Sequence, residues 1–183
     1  GRHALRFSVW EGSVWSDPRT VAEGADWFVN WADFPSLTAL DDGTLAAHWL
    51  RKTGGGSYAY GVALSFSRDG GTTWSEPLTP HDDSKTEHGF VSKVALPSRR
   101  IAAIWLDGRE TGGGDEGHSG PMTLRAAVVG TDGKIEHEDV IDARVCDCCQ
   151  TSAVRLGDGA VVVAYRDRSE SEIRDIAVAR FEN

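Results

Sequence analysis

The sequence repeats itself. Three segments align without gaps, Phe34–Trp49, Phe90–Trp105 and Gln150–Tyr165, at offsets of 56 and 60 residues. Ser36, Ser92 and Ser152 coincide, as do Leu40, Leu96 and Leu156, and the closing aromatics Trp49, Trp105 and Tyr165. A period of that size marks a supersecondary unit that cannot bury its apolar face alone and must stack on its neighbours. Each unit reads as strand, tight turn, strand. Asp42-Gly43 and Asp158-Gly159 suit two-residue hairpins because glycine takes positive φ without a Cβ clash. Pro97-Ser98 is a turn of another type.

After each unit come a loop, a third strand, a hairpin and a fourth strand. Third strands are predicted over 60–66, 123–129 and 173–181, with a further copy over 4–9. Fourth strands should follow Trp74-Ser-Glu-Pro77 and Trp15-Ser-Asp-Pro18. In blade order the chain is strands 3-4, then 1-2-3-4 twice, then 1-2-3, so its segments are 1–33, 34–89, 90–149 and 150–183. No helix is expected. With 21 Gly and seven Trp against one Met, the composition leans the same way, toward turns and aromatic-rich strands. The expected fold class is all-β: a propeller segment of about three four-stranded blades within one domain of 183 residues.

Ser67-Arg-Asp69-Gly-Gly71-Thr-Thr-Trp74 fits the Asp-box (BNR) pattern Ser-x-Asp-x-Gly-x-Thr-Trp, placed here between a third and a fourth strand. Asp and Ser can bond turn amides, Gly supplies the positive φ, and Trp packs between sheets. Ser8, Gly12 and Trp15 keep that spacing with Trp10 at the Asp position, and Thr131-Asp-Gly133 lacks the Trp. Further segments are Phe28–Ser36, Thr86–Ser92, Trp105–Glu110, Cys146–Ser152 and Tyr165–Ser169. With these, the chain resembles the bacterial sialidase-like, exo-α-sialidase family. The resemblance implies a six-bladed sialidase-type propeller, of which this chain would cover about half, and it favours a periplasmic or extracellular setting. The chain opens Gly1-Arg-His-Ala with no signal-peptide pattern.

Strand direction alternates within a blade, so the 1-2 and 3-4 loops share one end of the stack. The 2-3 and 4-1 loops share the other. The Asp box marks the structural end, and chemistry is expected opposite it. An arginine follows each second strand there: Arg51, Arg109, and Arg166 or Arg168. By the resemblance, these arginines clamp a substrate carboxylate, a task that suits the bidentate guanidinium fork. The alternative is structural ion pairing with Asp107, Glu110 and Asp167. Asp107 and Trp31 join the arginines as substrate-binding candidates, with Trp27, Phe28 and Trp31 offering stacking surfaces. The family uses a Tyr nucleophile paired with Glu and an Asp acid/base, an exception to two-carboxylate glycosidases. The corresponding candidates are Tyr165, Glu87 and Asp33, although Tyr165 also reads as blade packing. The family's N-terminal Phe/Tyr-Arg-Ile-Pro motif, which carries the first clamp arginine, is absent.

All three cysteines fall together: Cys146, Cys148 and Cys149. Three readings stand: a zinc or copper site with His88 or His81 nearby, a vicinal disulfide between Cys148 and Cys149, or packed thiols. Asp82-Asp83 and Asp115-Glu116 read as solvated charges. Gly54–Gly56 and Gly112–Gly114 read as loops without a phosphate-binding context.

A formal net charge of −9 argues against nucleic-acid and anionic-membrane partners. The expected partners are a glycan or small acidic ligand, and a second copy of the chain closing a six-bladed ring as a homodimer. Three blades cannot close a ring, so the chain is expected to be either a piece of a longer chain or one half of such a pair; that it starts and stops at the same point of the repeat favours the pair. The functional expectation is a glycan-processing propeller, a glycoside hydrolase acting on an acidic sugar. The alternatives are a non-catalytic carbohydrate-binding module and a structural half-propeller.

Overall fold

The computed structural model describes residues 1–112 and 120–182; Asp115, Glu116 and most of the 112–114 glycine run lie outside them. The described chain is all-β, with one short 3₁₀ turn at Arg109–Thr111. It forms four antiparallel sheets. The first pairs β1 (His3–Phe7) with β2 (Arg19–Gly24). The second orders β3 (Ser36–Ala39), β4 (Leu45–Lys52) and β5 (Tyr60–Ser67). The third orders β6 (His88–Leu96), β7 (Arg100–Asp107), β8 (Met122–Gly130) and β9 (Ile135–Val145), and the fourth orders β10 (Ser152–Arg155), β11 (Val161–Arg166) and β12 (Ile176–Phe181).

Three apolar layers join successive sheets. Leu5, Phe7 and Val21 of the first pack on Ala47, Trp49 and Ala63 of the second. Val62, Leu64 and Phe66 of the second meet Ile101, Ala103 and Trp105 of the third. Ile104, Leu124 and Val128 of the third meet Val163, Tyr165 and Phe181 of the fourth. The first strand of the third sheet, β6, touches both β3 and β10, so the leading strands gather on one side, as in radially stacked blades. The closing aromatics of the repeat, Trp49, Trp105 and Tyr165, are all buried in these layers.

One expected strand is reduced. The fourth strand of segment 34–89 survives as an isolated bridge between Leu64 and Leu78. Pro77 and Pro80 flank that bridge, and proline has no N–H to extend a ladder.

The two ends of the stack are held differently. At one end Arg19 donates to Gly70 O, Arg68 to Thr131 O, and Thr131 N–H to Arg99 O. Here the Ser67–Trp74 hairpin closes on itself. Asp69 accepts from Ser67 Oγ, from the N–H groups of Thr72 and Thr73, and from Thr73 Oγ1. These bonds, led by the Thr73 hydroxyl, hold its carboxyl down at about 2. Gly71 has φ +87°, and any Cβ there would overlap the ring of Phe7, which also meets Trp74 edge-on. In the Pro97–Arg99 turn, Ser98 and Arg99 are both left-handed without glycine.

At the opposite end each 4-1 loop is laced onto the 2-3 loop of the next sheet. Phe28 N–H donates to Leu50 O and Lys52 N–H to Asp26 O. Gly108 N–H donates to Glu87 O, and Cys146 N–H to Arg166 O. These three backbone seams fix the rim on which the candidate chemistry stands.

Candidate functional site

The best-formed site grows from a β-bulge. The β6–β7 register breaks between Gly89 and Ser92, and Phe90 takes φ +54°, costly for a non-glycine residue and typical of constrained sites. That twist aims Phe90 N–H at Asp33 Oδ2, 2.7 Å away. Gly89 is needed beside it, because a Cβ would collide with the same carboxylate oxygen. Asn30 Oδ1 caps the approach by accepting from the N–H groups of Ala32 and Asp33.

Asp33 is 5% exposed, and its Oδ1 is buried without a hydrogen-bond partner. Burial pushes its carboxyl up to about 6; the nearby Glu87 charge adds to this, and the Phe90 bond opposes it. Behind it Tyr60 Oη donates to Glu87 Oε2 at 3.1 Å in a buried pair. Burial, then the charges of Glu87 and Asp33, push the Tyr60 hydroxyl far above its ordinary value. Phe28 stacks flat on Tyr60, centroids 3.7 Å apart. Asp33 and Phe28 line a cavity of about 250 Å³ with His3, Trp27, Asn30 and Trp49. Trp27 stacks on Trp49 and His3. A second cavity of about 520 Å³ shares His3, Trp27 and Phe28 and adds Lys52 and Gly54–Gly56.

The structure therefore brings Asp33 and Glu87 together, and the tyrosine beside them is Tyr60. Tyr165 lies in the apolar layer between the third and fourth sheets, donating to Asp142 Oδ2 at 2.6 Å. Burial and that carboxylate push its hydroxyl up. Trp31 is 98% exposed on the same rim loop as Trp27.

The four arginines each have their own acceptor. Arg51 forks onto Asp26 Oδ2 at 2.6 and 2.8 Å. Arg109 grips Asp107 with two bonds of 2.8 Å and also reaches Asp82 and Glu138. Asp107 is fully buried; burial pushes its carboxyl up, but Arg109, His88 and Trp105 outweigh this and hold it below the usual range. Arg168 forks onto Glu172, and Arg166 points Nη1 at Cys149 Sγ, 3.6 Å away. The geometry in each case is that of an internal ion pair or charge-assisted bond.

Cys146, Cys148 and Cys149 cluster just after β9, their sulfurs 3.5, 3.8 and 3.9 Å apart. Burial pushes the Cys146 thiol up, but hydrogen bonds from Cys148 and Cys149 and the Arg174 charge leave it below its ordinary value. Burial and the neighbouring sulfurs push Cys148 up to about 12. His88 stands elsewhere: its ring stacks on His81 at 3.8 Å, with Nε2 3.4 Å from Asp107. Among the described residues, the group able to hold a metal consists of the three cysteines without a histidine. His81 accepts from Val62 N–H through Nε2, and burial followed by the His88 charge pushes it down to about 3.

One polar cluster lies outside the residues that the sequence motifs single out. Lys93, buried in β6, donates to Ser36 O, Ser36 Oγ and His48 Nδ1. Burial lowers its ammonium to about 7. The repeat held the signal: Lys93 occupies the place of Leu37 and Ala153, and His48 that of Ile104 and Ala164.

No protein-family model matches the sequence, and no curated protein matches it. Solved structures do match in fold. A protein of unknown function from Dyadobacter fermentans shares 18% identity over 98% of this chain and 45% of its own, with a TM-score of 0.67. The NanB sialidase of Streptococcus pneumoniae (K499G mutant) shares 18% over 98% of this chain and 27% of its own, with a TM-score of 0.58. An α-L-arabinanase from Penicillium chrysogenum shares 10% over 99% and 67%, with a TM-score of 0.55. The chain thus has the fold of sialidase- and arabinanase-type propellers and spans less than half the length of the first two.

Proposed function

We propose that the chain carries part of a glycan-processing site in which Asp33 delivers a proton to a glycosidic oxygen. The observation that carries this reading is the Asp33 carboxyl itself. It lines an aromatic cavity, keeps one oxygen without a protein partner, and titrates near 6. A general acid works best when its pKa lies near the working pH. Trp27 and Phe28 supply flat faces against which a sugar ring can pack. Glu87, held by Tyr60, places negative charge behind Asp33 and helps keep it protonated. An acidic sugar is the substrate class we favour, because Lys52 and His3 line the adjoining cavity. The four arginines would join only by exchanging their present acceptors.

The test is hydrolysis of fluorogenic sialosides and arabinofuranosides across pH 4–8. Turnover should fall as pH rises through about 6, the value at which Asp33 loses its proton, and should vanish in Asp33→Ala. Retained activity in that variant would refute the assignment. Glycan binding without turnover would leave the carbohydrate-binding reading, with Trp31 as its exposed platform.

We also propose that a second copy of the chain covers the free face of the fourth sheet. Val154, Val162, Ala164 and Val178 share that face by register, and Ile176 beside them is 74% exposed. Ser152, Arg166 and Arg180 fall on the same face and border this apolar strip, which is of the kind that marks an interaction surface. A solution mass of a stable monomer would refute it.

A further inference from the structure

The cysteine cluster stands apart from the Asp33 site. Its loop, Cys146-Asp-Cys-Cys149, is pinned at its start by the Cys146 N–H bond to Arg166 O and the Val145–Asp167 bridge. Three sulfurs 3.5, 3.8 and 3.9 Å apart form a nearly equilateral triangle. A disulfide would need one of these separations to shrink to about 2.05 Å, yet the three are alike. A point about 2.3 Å from every sulfur, the zinc–thiolate bond length, lies about 0.8 Å off their plane. That is the position of a tetrahedral metal with three corners filled and one open. Two guanidinium groups flank the triangle: Arg166 Nη1 is 3.6 Å from Cys149 Sγ, and Arg174 Nη1 is 3.6 Å from Cys146 Sγ. Three thiolates and a divalent ion carry a net negative charge that these cations offset. Asp147 sits within 3.7 Å of Arg174 and orients it.

We infer that Cys146, Cys148 and Cys149 bind one thiophilic metal ion through three thiolates, with a coordination position left open for an exogenous ligand. Soft thiolate sets select zinc or cuprous copper over harder cations, and both share the chemistry argued here. Cys146 is buried while Cys148 is exposed, so the site has a protected anchor and a route for the ion. Each thiol loses its proton to solvent as the metal bonds form, so uptake strengthens as pH rises.

The experiment uses the whole chain, reduced and kept free of oxygen. It is dialysed against zinc or cuprous ion, and bound metal is counted; cobalt substitution reports sulfur-to-metal charge transfer and coordination number. The expected result is one ion per chain for zinc, copper or both, with thiolate bands and a tetrahedral cobalt spectrum. Cys148→Ser, at an exposed position, should keep the far-ultraviolet spectrum and lose at least 100-fold in affinity. Arg166→Ala should weaken binding about 10–100-fold, as loss of supporting groups does. Reduced protein that retains neither metal stoichiometrically would overturn the inference, and so would binding undiminished in Cys148→Ser. Loss of glycosidase activity plays no part in the readout, so this site and the Asp33 site stand or fall separately.

Discussion

Replacing Asp33 with asparagine should stabilise the fold while removing its proposed chemistry. The carboxyl titrates near 6 in the folded chain against 3.8 ordinarily, a difference of about two units. At about 1.36 kcal/mol per unit, the ionised form costs the folded state about 3 kcal/mol. The folded value lies above the unfolded one, so the cost is absent below about pH 4. It grows between 4 and 6 and is complete above 6. The figure already includes the Phe90 hydrogen bond, which favours the charged form. Asparagine cannot ionise and still offers Phe90 N–H an acceptor. Urea unfolding of both proteins at pH 4, 6 and 8 should give equal stabilities at the lowest pH. At pH 8 the variant should gain up to about 3 kcal/mol, a midpoint shift of about 1–2 M urea. A variant no more stable than the parent at pH 8, or a gap that does not change with pH, would refute the burial argument and with it the reason for treating Asp33 as an acid.

Lys93→Met tests a second buried ionisable group. Its folded value of about 7 lies below the ordinary 10.5, so the penalty for the charged form is complete below pH 7 and lifts as pH rises toward 10.5. The parent chain should therefore gain up to about 5 kcal/mol across that window, a rise that denaturant titrations of the methionine variant should not show. Gly89→Ala should destabilise by about 1–3 kcal/mol, because the added methyl meets Asp33 Oδ2. It should also displace the Asp33 titration, measurable by carboxyl-selective NMR; an unmoved titration would show that the bulge does not set the site.

The stack of sheets was legible because its signals are local and repeated: hairpin turns, closing aromatics and the serine-bearing strand starts recur at fixed spacing. The lost ladder around Leu78 was also written in Pro77 and Pro80, but a strand was expected there because its neighbours have one. At the rim, sequence placed Asp33 and Glu87 on adjacent 4-1 loops without the means to join them. Their meeting depends on the Phe90 twist and on Tyr60, whose partner lies 27 residues away. Arg109 and Asp107 could be paired from their closeness in sequence, whereas Glu138 reaches Arg109 only through the β8–β9 hairpin. His88 and the cysteines looked alike as ligand types, and only the fold separates them.

The amide seams at Lys52, Gly108 and Cys146 act like stitching along the hem of a pleated fan. No two pleats can change their tilt without pulling a stitch, so the width of the mouth and the angle between neighbouring sheets are one variable. A sugar wedged beside Asp33 would thus press on the whole fan.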